Sequence, residues 1–480
     1  MKISELNFGE DSIILPDAEL TVKGLCRKPE EILDGYIFFD LPSVSGIEKS
    51  YEFTTPPLAI VTQRPSAYSS LNIPIIAVKD ARLAYAYAYS GFLSIDYGKL
   101  KIIGITGTNG KSSISVILKE MLIKNGKKCG LIGTGIIEAD GKRLSQKYYS
   151  MTTPDAEILY PALFEMQRLG VEYVIMEISS HSLSLMKCEP IKFSLAVFSG
   201  LSPEHLDFHK NMEDYFLSKR KLFTKSEKSV IFTDGKYGKR LFFEFKENSV
   251  SAGLYSGIIR AEEIKEKGIS GSEFTLSING ERLPVAIRLP GIYNIENSLL
   301  ALSCVNALSL DLKVSIEALS NINFIKGRTE IINGKVTVIR DFAHTEFALE
   351  NLLKMIKKNI IPEQKMTVVL GCGGERDRQK RPLMAKCASN YADRVIITED
   401  NSRGEELASI LSDIIAGAEC ERIGIIADRA LAIEYAIKTA SDGDTVVVVG
   451  KGAEDYIIKG NAYCHFDERK IIEEALQKRV

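Results

Sequence analysis

The sequence predicts an α/β protein of several domains, built mainly from parallel sheets that are covered by helices. Its 480 residues exceed one ordinary domain, and at about 150 residues per domain they predict roughly three. Short β-branched runs alternate with segments of helical periodicity in two separate blocks, one from about residue 100 and one from near residue 335. This alternation is typical of strands buried on both faces, each followed by a helix that crosses to the next strand.

The composition is that of a globular protein without a bias toward nucleic acids or membranes. Apolar residues make up 45% of the chain, enough for a core in each domain, and the formal net charge is only -2. No uncharged apolar stretch approaches the about 18 residues that cross a bilayer, and the first residues contain no apolar signal segment. We expect a cytoplasmic monomer that acts on small molecules, without a nucleic-acid or membrane partner.

The eight cysteines form no C-x-x-C pair and no regular framework. Disulfide-rich domains and thiolate metal sites depend on such spacings, so neither is indicated. Cys129, Cys188, Cys304 and Cys387 lie in apolar or helix-like contexts. We expect reduced and mostly buried thiols.

Three blocks divide the chain. A short and less regular α/β block covers 1–98, and boundaries near YGKLK and KGRTE give a central block of 99–327 and a last block of 328–480. Strands of the central block are predicted at KIIGIT, YVIMEIS and SLAVFSG, and a helix at SISVILKEMLIKNGK. Strands of the last block are predicted at KVTVIRDFAHT, KMTVVLGCGG, RVIITEDNS, ERIGIIAD and DTVVVVGKG, with helices at EELASILSDIIAG and RALAIEYAIKTAS.

A glycine-rich loop, GITGTNGKSS, follows the first strand of the central block. A phosphate-binding loop needs inward N–H groups, a helix N-terminus and a lysine, and here Gly107, Gly110 and Lys111 can supply them. Ser112 takes the position of a hydroxyl that ligates Mg²⁺. The common spacing G-x-x-x-x-G-K-[ST] is not met, because Ile105 stands five residues before Gly110. The alternative is a simple strand–turn–helix turn, but that turn would not require Lys-Ser, so we favour phosphate binding.

Two polar residues follow apolar strands where a magnesium partner is expected, since ligand groups in α/β sheets lie at the carboxyl ends of strands. Glu177 ends one such run, and its alternative is an edge carboxylate in water. His205 follows another, and its alternative is a structural histidine, because Mg²⁺ prefers oxygen ligands. Of the five histidines, four fall in these motif segments, which favours a site: His181, His205, His209 and His344.

Together these segments resemble the Mur ligase family of peptidoglycan synthesis, most closely its MurE type. The family's own loop is GTNGK[ST], found here at 107–112, which explains the departure from the common phosphate-loop spacing. Further matches follow in chain order: TTPD at 152–155, MEISSHSL at 176–183, EHLDFH at 204–209, YFLSKRKLF at 215–223, GIYNIENSLLAL at 291–302, GRTE at 327–330, DFAHT at 341–345, GCGGERDRQKRPLM at 371–384, DNSR at 400–403 and GKGAE at 450–454. The first hundred residues match only weakly.

The resemblance implies a three-domain ATP-dependent amide ligase. It implies an N-terminal domain for the UDP-sugar end of the acceptor, a central P-loop ATPase-like domain, and a C-terminal Rossmann-like domain for the incoming amino acid. The acceptor carboxylate would attack the γ-phosphate, and the amine of the amino acid would attack the resulting acyl phosphate. The implied ATP-binding residues are Gly107, Thr108, Asn109, Gly110, Lys111, Ser112, Ser113, Asn294, Asn297, Arg328 and Asp341.

Individual roles also follow from the resemblance. Asn294 and Asn297 correspond to adenine-side contacts, and Arg328 and Asp341 to contacts at the phosphate and ribose. The implied magnesium ligands are Ser112, Glu177, His205 and Lys219. Lys219 corresponds to a lysine that the family carries as a carbamate, and its alternative is a solvated lysine in the basic run SKRK. The residues expected to support catalysis are Lys111, Lys219, His205 and Arg328.

The implied acceptor site departs from the family at several positions. Its residues are Cys26, Thr152, Thr153, Ser179 and Lys187. Cys26 stands where serine is usual, Lys187 stands where arginine is usual, and no DGH loop is present. These departures leave two acceptors open: UDP-muramoyl-dipeptide, or a different one such as an archaeal pseudomurein precursor.

The segment DNSR bears on the amino acid that is added, because DNPR marks family members that use meso-diaminopimelate. The planar fork of Arg403 can hold the distal carboxylate with two hydrogen bonds, whereas a surface arginine is its alternative. Ser402 replaces the proline and Ala453 stands where histidine is usual, so L-lysine or another diamino acid stays open. The implied amino-acid-binding residues are Arg376, Asp400, Asn401, Arg403, Gly450 and Glu454.

Other activities are weighed against this one. A folylpolyglutamate synthase shares the loop and the acyl-phosphate chemistry, but DNSR and GKGAE argue against it. A non-catalytic nucleotide-binding subunit would be expected to lose at least one of four residues, and all four are present: Lys111, Glu177, His205 and Lys219. Balanced charge and the lack of helicase-like motifs disfavour a nucleic-acid-dependent ATPase.

Overall fold

The computed structural model describes residues 1–9, 13–14, 19–43, 51–144, 151–418 and 422–479. The protein is an α/β protein with parallel sheets, as predicted. Two compact units form, and the chain enters each of them more than once. The first unit contains Met1–Thr106, Lys127–Ala196 and Leu217–Lys228, and the second contains Gly107–Gly126, Val197–Phe216 and Ser229–Val480. The division into three domains at residues 98 and 327 stays a prediction.

The elements are numbered along the described part of the chain. The strands are β1 (Ile13–Ile14), β2 (Gly24–Cys26), β3 (Tyr36–Asp40), β4 (Ala59–Thr62), β5 (Ile75–Ala77), β6 (Lys101–Thr106), β7 (Cys129–Gly133), β8 (Ile136–Ala139), β9 (Lys142–Arg143), β10 (Tyr173–Glu177), β11 (Phe193–Phe198), β12 (Ser226–Phe232), β13 (Ser249–Gly253), β14 (Ile259–Glu266), β15 (Ser272–Ile278), β16 (Glu281–Ile287), β17 (Glu330–Ile332), β18 (Thr337–Asp341), β19 (Met366–Gly371), β20 (Arg394–Thr398), β21 (Ile423–Ile425), β22 (Thr445–Val449), β23 (Tyr456–Lys459) and β24 (Ala462–His465). The α-helices are α1 (Ala81–Phe92), α2 (Lys111–Lys124), α3 (Ala156–Arg168), α4 (Ser180–Ser184), α5 (Met212–Arg220), α6 (Lys236–Glu244), α7 (Ile292–Ala307), α8 (Leu312–Ser320), α9 (Glu346–Asn359), α10 (Lys380–Tyr391), α11 (Leu407–Ile415), α12 (Arg429–Thr439) and α13 (Glu468–Gln477).

The first unit begins with a five-stranded sheet in the order β1-β5-β4-β3-β2. Strands β2 to β5 run parallel, and β1 is antiparallel to β5. Helix α1 is capped by the Asp80 carboxylate, which accepts from the backbone N–H groups of Arg82 and Leu83. The centre of this sheet is fully buried and consists of aromatic and β-branched side chains, among them Phe38, Phe39, Ile60 and Val61.

A second group of strands in the first unit surrounds β10. This strand pairs in parallel with β6 on one side and with β7 on the other, and β8 and β9 extend the group in antiparallel fashion. All five residues of β10 are buried, so its apolar run ends at a buried Glu177. The strands predicted at KIIGIT and YVIMEIS are confirmed as β6 and β10.

In the second unit, β12, β13 and β14 pair in parallel, and β15 and β16 continue from β14 in antiparallel fashion. Helix α7 belongs to this unit and is buried along most of its length. Helix α2 confirms the helix predicted after the glycine-rich loop, but it begins two residues earlier than the predicted segment, at Lys111. Gly126, with a φ of 73°, follows its end and provides the left-handed residue that commonly terminates a helix.

The last sheet has the order β17-β18-β22-β19-β20-β21, in which all pairs except β17–β18 are parallel. Alternate residues of β22 divide between its two faces. Val447 and Val449 join the core under α9, α10 and α11, whereas Val446 and Val448 join the core under α12 and α13. Helices therefore cover both faces, and the predicted Rossmann-like arrangement of this block is confirmed. Of the predicted segment 421–428, residue 421 lies outside the described residues.

The cysteines behave as expected from their sequence contexts. Those described are free thiols, of which Cys464 is exposed and the others are buried: Cys26, Cys129, Cys188, Cys304, Cys372 and Cys387. Cys420 lies outside the described residues. Among the helices that the structure describes, none has the length and apolar character needed to cross a bilayer.

Candidate active site

The glycine-rich loop follows β6 in the chain and leads directly into α2. Its glycines are required by close approaches within the second unit. A Cβ atom on Gly107 would lie 2.0 Å from Ser199 Oγ, and one on Gly110 would lie 2.5 Å from Asn297 Oδ1. Gly110 also has a φ of 86°, which an L side chain rarely adopts. Both glycines that the sequence singled out therefore shape the loop.

The segment that follows β11 holds this loop in place. The backbone N–H of Thr108 donates to the Gly200 carbonyl at 3.0 Å. Thr108 Oγ1 donates to the Ser202 carbonyl at 3.1 Å and accepts from the Ser202 N–H at 3.0 Å. Ser199 Oγ donates to the Asn109 carbonyl at 2.5 Å. The loop is thus fixed immediately before the first N–H groups of α2, which have no partner inside the helix and suit an anion.

Two basic side chains lie at the start of α2. Lys111 Nζ donates to the carbonyls of Gly107 and Thr108, at 3.0 and 2.9 Å. Arg328 Nη2 donates to Ser112 Oγ at 3.0 Å, and its guanidinium lies 4.3 Å from the ring centroid of Phe342. The structure therefore brings Arg328 to the hydroxyl that the sequence predicts for phosphate and metal binding.

Asp341 ends β18, next to Arg328 in space. Its carboxylate accepts from the backbone N–H groups of Thr329 and Ala343, each at 2.6 Å. Burial raises the pKa of Asp341, although the charge of Arg328 and these hydrogen bonds oppose the effect. The carboxylate is held in one orientation by these backbone donors.

A cavity of about 440 Å³ extends along these residues within the second unit. The two asparagines of α7 are buried in its wall, where Asn294 Nδ2 donates to the Pro290 carbonyl at 2.8 Å and Asn297 Nδ2 to Asn294 Oδ1 at 3.4 Å. The predicted ATP-binding residues that line the cavity are Thr108, Asn109, Gly110, Ser113, Asn294, Asn297, Arg328 and Asp341.

Sequence reasoning missed the contact between Glu204 and His344, whose Oε1 and Nε2 atoms lie 3.0 Å apart. His344 Nδ1 lies 3.0 Å from the Phe342 carbonyl. Burial would raise the pKa of Glu204, but the His344 hydrogen bond and the charges of His205, His344 and Lys111 hold it far below its usual value. The motifs EHLDFH and DFAHT contain the two residues, but nothing in their spacing indicates the contact.

In the first unit, four predicted residues lie together around the end of β10. The Glu177 carboxylate is buried, as expected, and Thr134 Oγ1 donates to it at 3.2 Å. Thr134 Oγ1 also lies 3.2 Å from Thr152 Oγ1, within hydrogen-bond distance. Thr153 Oγ1 donates to the Glu177 carbonyl at 2.9 Å and accepts from the Ser179 N–H at 3.0 Å. The alternative of an edge carboxylate in water is wrong for Glu177.

Lys219 lies in α5 and is only 2% exposed, so the alternative of a solvated lysine is wrong. Glu177 and Lys219 belong to the first unit, and Ser112 and His205 belong to the second. Among the described residues, no three Asp, Glu, His or Cys side chains form a group that could hold a metal. The predicted set contains one carboxylate and one imidazole beside a hydroxyl and a lysine, and it stays a prediction, as does the carbamate.

The other predicted acceptor residues also lie in the first unit. Lys187 Nζ forms an ion pair with Asp155 Oδ1 at 2.5 Å, and Arg27 Nη2 pairs with Asp155 Oδ2 at 2.8 Å. Cys26 is buried, and its Sγ lies 3.7 Å from the Ile37 carbonyl. Burial is the main cause that raises the pKa of the Cys26 thiol to about 12. The thiol is therefore part of the apolar core of the first sheet and is held in its neutral form.

The predicted amino-acid site lies at the carboxyl ends of β20 and β22 and is organised by Lys451, which sequence reasoning did not name. The buried Nζ of Lys451 lies 3.1 Å from Asp400 Oδ1, 3.1 Å from Asn401 Oδ1 and 3.2 Å from Glu454 Oε2. Asn401 Nδ2 also donates to Glu454 Oε2 at 2.8 Å. Burial would raise the pKa of Asp400, but the charges of Lys451 and Arg429 hold it below its usual value. Three predicted residues thus converge on one ammonium.

The remaining predicted residues border this cluster. Gly450 has a φ of 110°, and a Cβ atom there would lie 2.9 Å from Asp400 Oδ2. Arg403 Nη1 donates to the Gly374 carbonyl at 2.8 Å and to the Asn401 carbonyl at 3.3 Å. The two guanidinium groups of Arg376 and Arg403 repel one another, and neither forms an ion pair with a carboxylate in the described part of the chain. Asp207, Glu375 and Glu454 attract Arg376 without forming a salt bridge, and two neighbouring cations without a salt bridge suit an anionic ligand.

Comparisons with known proteins agree with these observations. A family model of the Mur ligase middle domain matches residues 105–305, and one of the Mur ligase, glutamate ligase domain, matches residues 327–452. The UDP-N-acetylmuramoyl-L-alanyl-D-glutamate–2,6-diaminopimelate ligase of Clostridium tetani is 39% identical over 491 residues and covers 100% of both chains. The ligase of the same name from Aquifex aeolicus is 36% identical and covers 95% of this chain and 94% of its own.

Structural similarity extends over the same length. A solved structure of UDP-N-acetylmuramoyl-L-alanyl-D-glutamate–2,6-diaminopimelate ligase matches with a TM-score of 0.66 and 25% identity, covering 100% of this chain and 99% of the other. The full-length similarity includes the first hundred residues, where motifs alone were weak. With the ordered motifs, the phosphate loop and these relatives in agreement, the chain belongs to the Mur ligase family.

Proposed function

We propose that this chain is an ATP-dependent ligase that joins 2,6-diaminopimelate to UDP-N-acetylmuramoyl-L-alanyl-D-glutamate. The relatives from Clostridium tetani and Aquifex aeolicus are named for that reaction and match over nearly the whole chain. The observation that carries the choice of amino acid is the pair Arg376 and Arg403, which forms no salt bridge among the described residues and borders the acidic groups around Lys451. Such a site suits an amino acid with a second carboxylate and a second ammonium group.

ATP is the cosubstrate that the cavity beside the phosphate loop supports. Lys111 and Arg328 would bind the outer phosphates, Asp341 would lie at the ribose, and Asn294 and Asn297 at the adenine. Ser112, Glu177, His205 and a carbamylated Lys219 would hold Mg²⁺, and the oxygen donors among them suit this hard cation. When bound, Mg²⁺ would neutralise phosphate charge. Glu177 and Lys219 are both buried, and a carbamate would turn the Lys219 ammonium into a group with two oxygen donors.

The proposed chemistry has two displacement steps. An oxygen of the acceptor carboxylate attacks the γ-phosphorus, the bond to the bridging oxygen breaks, and ADP leaves with the electron pair. The amine nitrogen of the amino acid then attacks the acyl carbon, loses a proton, and inorganic phosphate leaves. Lys111 and Arg328 would spread the charge that develops on the phosphoryl group. Orientation of the two reactants is worth about 7–11 kcal/mol in such reactions.

The acceptor would bind in the first unit. Thr152, Thr153 and Ser179 offer hydroxyl and backbone groups beside Glu177, and Lys187 offers a cation that Asp155 orients. We keep Cys26 as a candidate, although its thiol bonds a carbonyl of its own sheet. We also propose the domain division 1–98, 99–327 and 328–480, and a cytoplasmic monomer that acts only on small molecules.

Phosphate release tests the reaction and its substrates together. The purified protein is incubated with ATP, Mg²⁺, UDP-N-acetylmuramoyl-L-alanyl-D-glutamate and, in separate reactions, 2,6-diaminopimelate, L-lysine or lanthionine, and the product mass is measured. We expect release and a ligated product with 2,6-diaminopimelate, and none with Lys111→Ala. Activity with lysine alone would contradict the proposed amino acid, and activity only with a pseudomurein precursor would contradict the acceptor.

Arg403→Ala tests the proposed contact to the distal carboxylate. Hydrogen bonds to charged groups contribute about 1.5–3 kcal/mol each, so the preference for 2,6-diaminopimelate over lysine should fall at least about tenfold. Arg378→Ala is the matched control, because Arg378 is exposed and pairs with Asp413 instead. If Arg403→Ala and Arg378→Ala prefer 2,6-diaminopimelate over lysine to the same extent, Arg403 does not contact the distal carboxylate of the substrate.

A further inference from the structure

Glu296 lies on α7 between Asn294 and Asn297, the two asparagines that we propose for the adenine side of the nucleotide site. Its side chain is half-buried and lines the same cavity as Gly110 and Asn297. Within the part of the chain that the structure describes, the Glu296 carboxyl group has no hydrogen bond and no ion pair. A carboxyl group in the wall of a nucleotide cavity without a protein partner is available to a ligand.

The charged group that acts on Glu296 is Asp234, which follows β12. The Asp234 carboxylate accepts from the backbone N–H groups of Leu254, Tyr255 and Ser256, at 2.6, 3.2 and 2.8 Å, and from Ser256 Oγ at 2.9 Å. Four donors on one carboxyl group suit its ionised form, which only accepts. Burial first, and the charge of Asp234 second, raise the pKa of Glu296 to about 7. The Glu296 carboxyl group therefore keeps its proton to a higher pH than an exposed carboxyl group does.

The other charged groups around the cavity do not neutralise Glu296. Lys236 lines the cavity from α6, but it is exposed and lies 5.6 Å from the ring centroid of Tyr237. No ion pair joins it to Glu296 in the described residues. Three other charged or titratable groups line the cavity, and each has a different partner. Arg328 contacts Ser112, Asp341 accepts from Thr329, and His344 contacts Glu204.

We propose that the Glu296 carboxyl group recognises the adenine base of ATP by pairing with its amidine edge. The inference rests on the proposed ATP-dependent function. A protonated carboxyl group presents an O–H donor beside a C=O acceptor, which complements a ring nitrogen acceptor of adenine beside its N6 donor. An ionised carboxylate only accepts and would instead match the N–H and amino donors of guanine. The protonation state of Glu296 thus determines which purine fits.

The experiment measures binding of ATP and GTP to the full chain by calorimetry, in EDTA, at about pH 6 and about pH 8. Because the protonated fraction of Glu296 falls over this interval, the Kd of the wild-type protein for ATP should rise about tenfold. Glu296→Gln keeps a donor beside an acceptor at both pH values, so its Kd should change far less. Glu281→Gln, on an exposed residue of β16, is the matched control and should behave as wild type. Titration of the ATP phosphates affects all three proteins equally.

Glu296→Leu removes both hydrogen-bonding atoms, and its preference for ATP over GTP should fall about tenfold or more. The inference is overturned if wild type and Glu296→Gln show the same pH dependence, or if Glu296→Leu keeps the full preference. These results are separable from the proposed reaction. A protein that forms the ligated product without this pH dependence retains the function and loses the role of Glu296. If no diamino acid is ligated, the function fails, and the ATP and GTP titrations still decide the role of Glu296.

Discussion

Arg328 and Ser112 are 216 residues apart in the sequence, yet Arg328 Nη2 donates to Ser112 Oγ at 3.0 Å. The contact places a guanidinium at the start of α2, where the helix N-terminus and Lys111 already favour an anion. The stacking of Arg328 on Phe342 restricts the orientation of its planar fork. A phosphoryl group bound at the loop would therefore meet an oriented cation.

Removal of this guanidinium should slow phosphoryl transfer. Groups that stabilise developing charge in a transition state are typically worth about 10²–10³ in kcat, and we expect a loss of that size for Arg328→Ala. Arg328→Lys keeps the positive charge but lacks the planar guanidinium. Its kcat should lie between the kcat values of wild type and Arg328→Ala. Steady-state phosphate release measures the effect, with Arg288→Ala, on an exposed arginine of the same unit, as the control. An unchanged kcat in Arg328→Ala would remove Arg328 from the proposed catalytic group.

Gly110→Ala should abolish tight ATP binding. The new Cβ atom would lie 2.5 Å from Asn297 Oδ1 at a φ of 86°, so the loop or the asparagine must move. Gly126→Ala is the matched control, because Gly126 has a φ of 73° but open space around it. Both variants should lose about 1–2 kcal/mol from the left-handed conformation, measured by urea unfolding. Only Gly110→Ala should raise the Kd for ATP, measured by calorimetry.

Lys451→Met should destabilise the protein and disorder the side chains of the proposed amino-acid site. The substitution leaves Asp400 and Glu454 buried without their shared cation, and breaking a buried pair costs about 3–5 kcal/mol. Urea unfolding measures the loss. Lys354→Met removes a lysine from an exposed pair with Glu350 and should cost less than about 1 kcal/mol. Equal losses in the two variants would contradict a central role for Lys451.

Glu405 should make stability depend on acid pH. Its carboxylate accepts two hydrogen bonds of 2.7 Å from the fully buried Arg381, and these bonds are the main cause that lowers the pKa of Glu405 from 4.5 to about 2. Because the pKa of Glu405 is lower in the folded state than in the unfolded state, the charged carboxylate stabilises the fold at pH values above its unfolded pKa. This stabilisation is lost as the pH falls toward the folded pKa.

The free energy of unfolding is then measured for wild type and Glu405→Gln across this range. The advantage of wild type should be full above about pH 4.5 and should decline toward about pH 2, where Glu405 is protonated in both states. Glu281→Gln is the control: the difference in free energy of unfolding between wild type and Glu281→Gln should stay the same as the pH falls. A constant difference between wild type and Glu405→Gln down to pH 2 would contradict the role of the Arg381 contact.

Local sequence patterns were sufficient for the phosphate loop, for several parallel strands and for helices α2, α11 and α12. β-branched runs identified β6, β10 and five of the six strands of the last sheet, β18 to β22, because burial on both faces leaves a continuous apolar run. The short edge strand β17 was not predicted. The spacing of Gly107, Gly110 and Lys111 identified the loop, although the side chains that the two glycines approach, Ser199 and Asn297, lie in distant segments. Burial of Glu177 also followed from its apolar neighbours.

Contacts between segments that are distant in the sequence could not be predicted from local patterns. Lys451 joins Asp400 and Asn401, which follow a different strand, and no spacing within GKGAE reports that convergence. The contact of Glu204 with His344 spans 140 residues and has the same origin. Cys26 was predicted as an acceptor-binding residue because it stands where the family has serine. That correspondence does not reveal that its thiol is part of the apolar core of the first sheet.

The ammonium shared by Asp400, Asn401 and Glu454 also constrains how this lineage can diverge. Lengthening or shortening any one of these side chains disturbs the fit of the other two, so they cannot drift independently. New substrate preferences should instead arise at rim positions that lie outside the shared contact, such as Arg403 and the exposed Ala453.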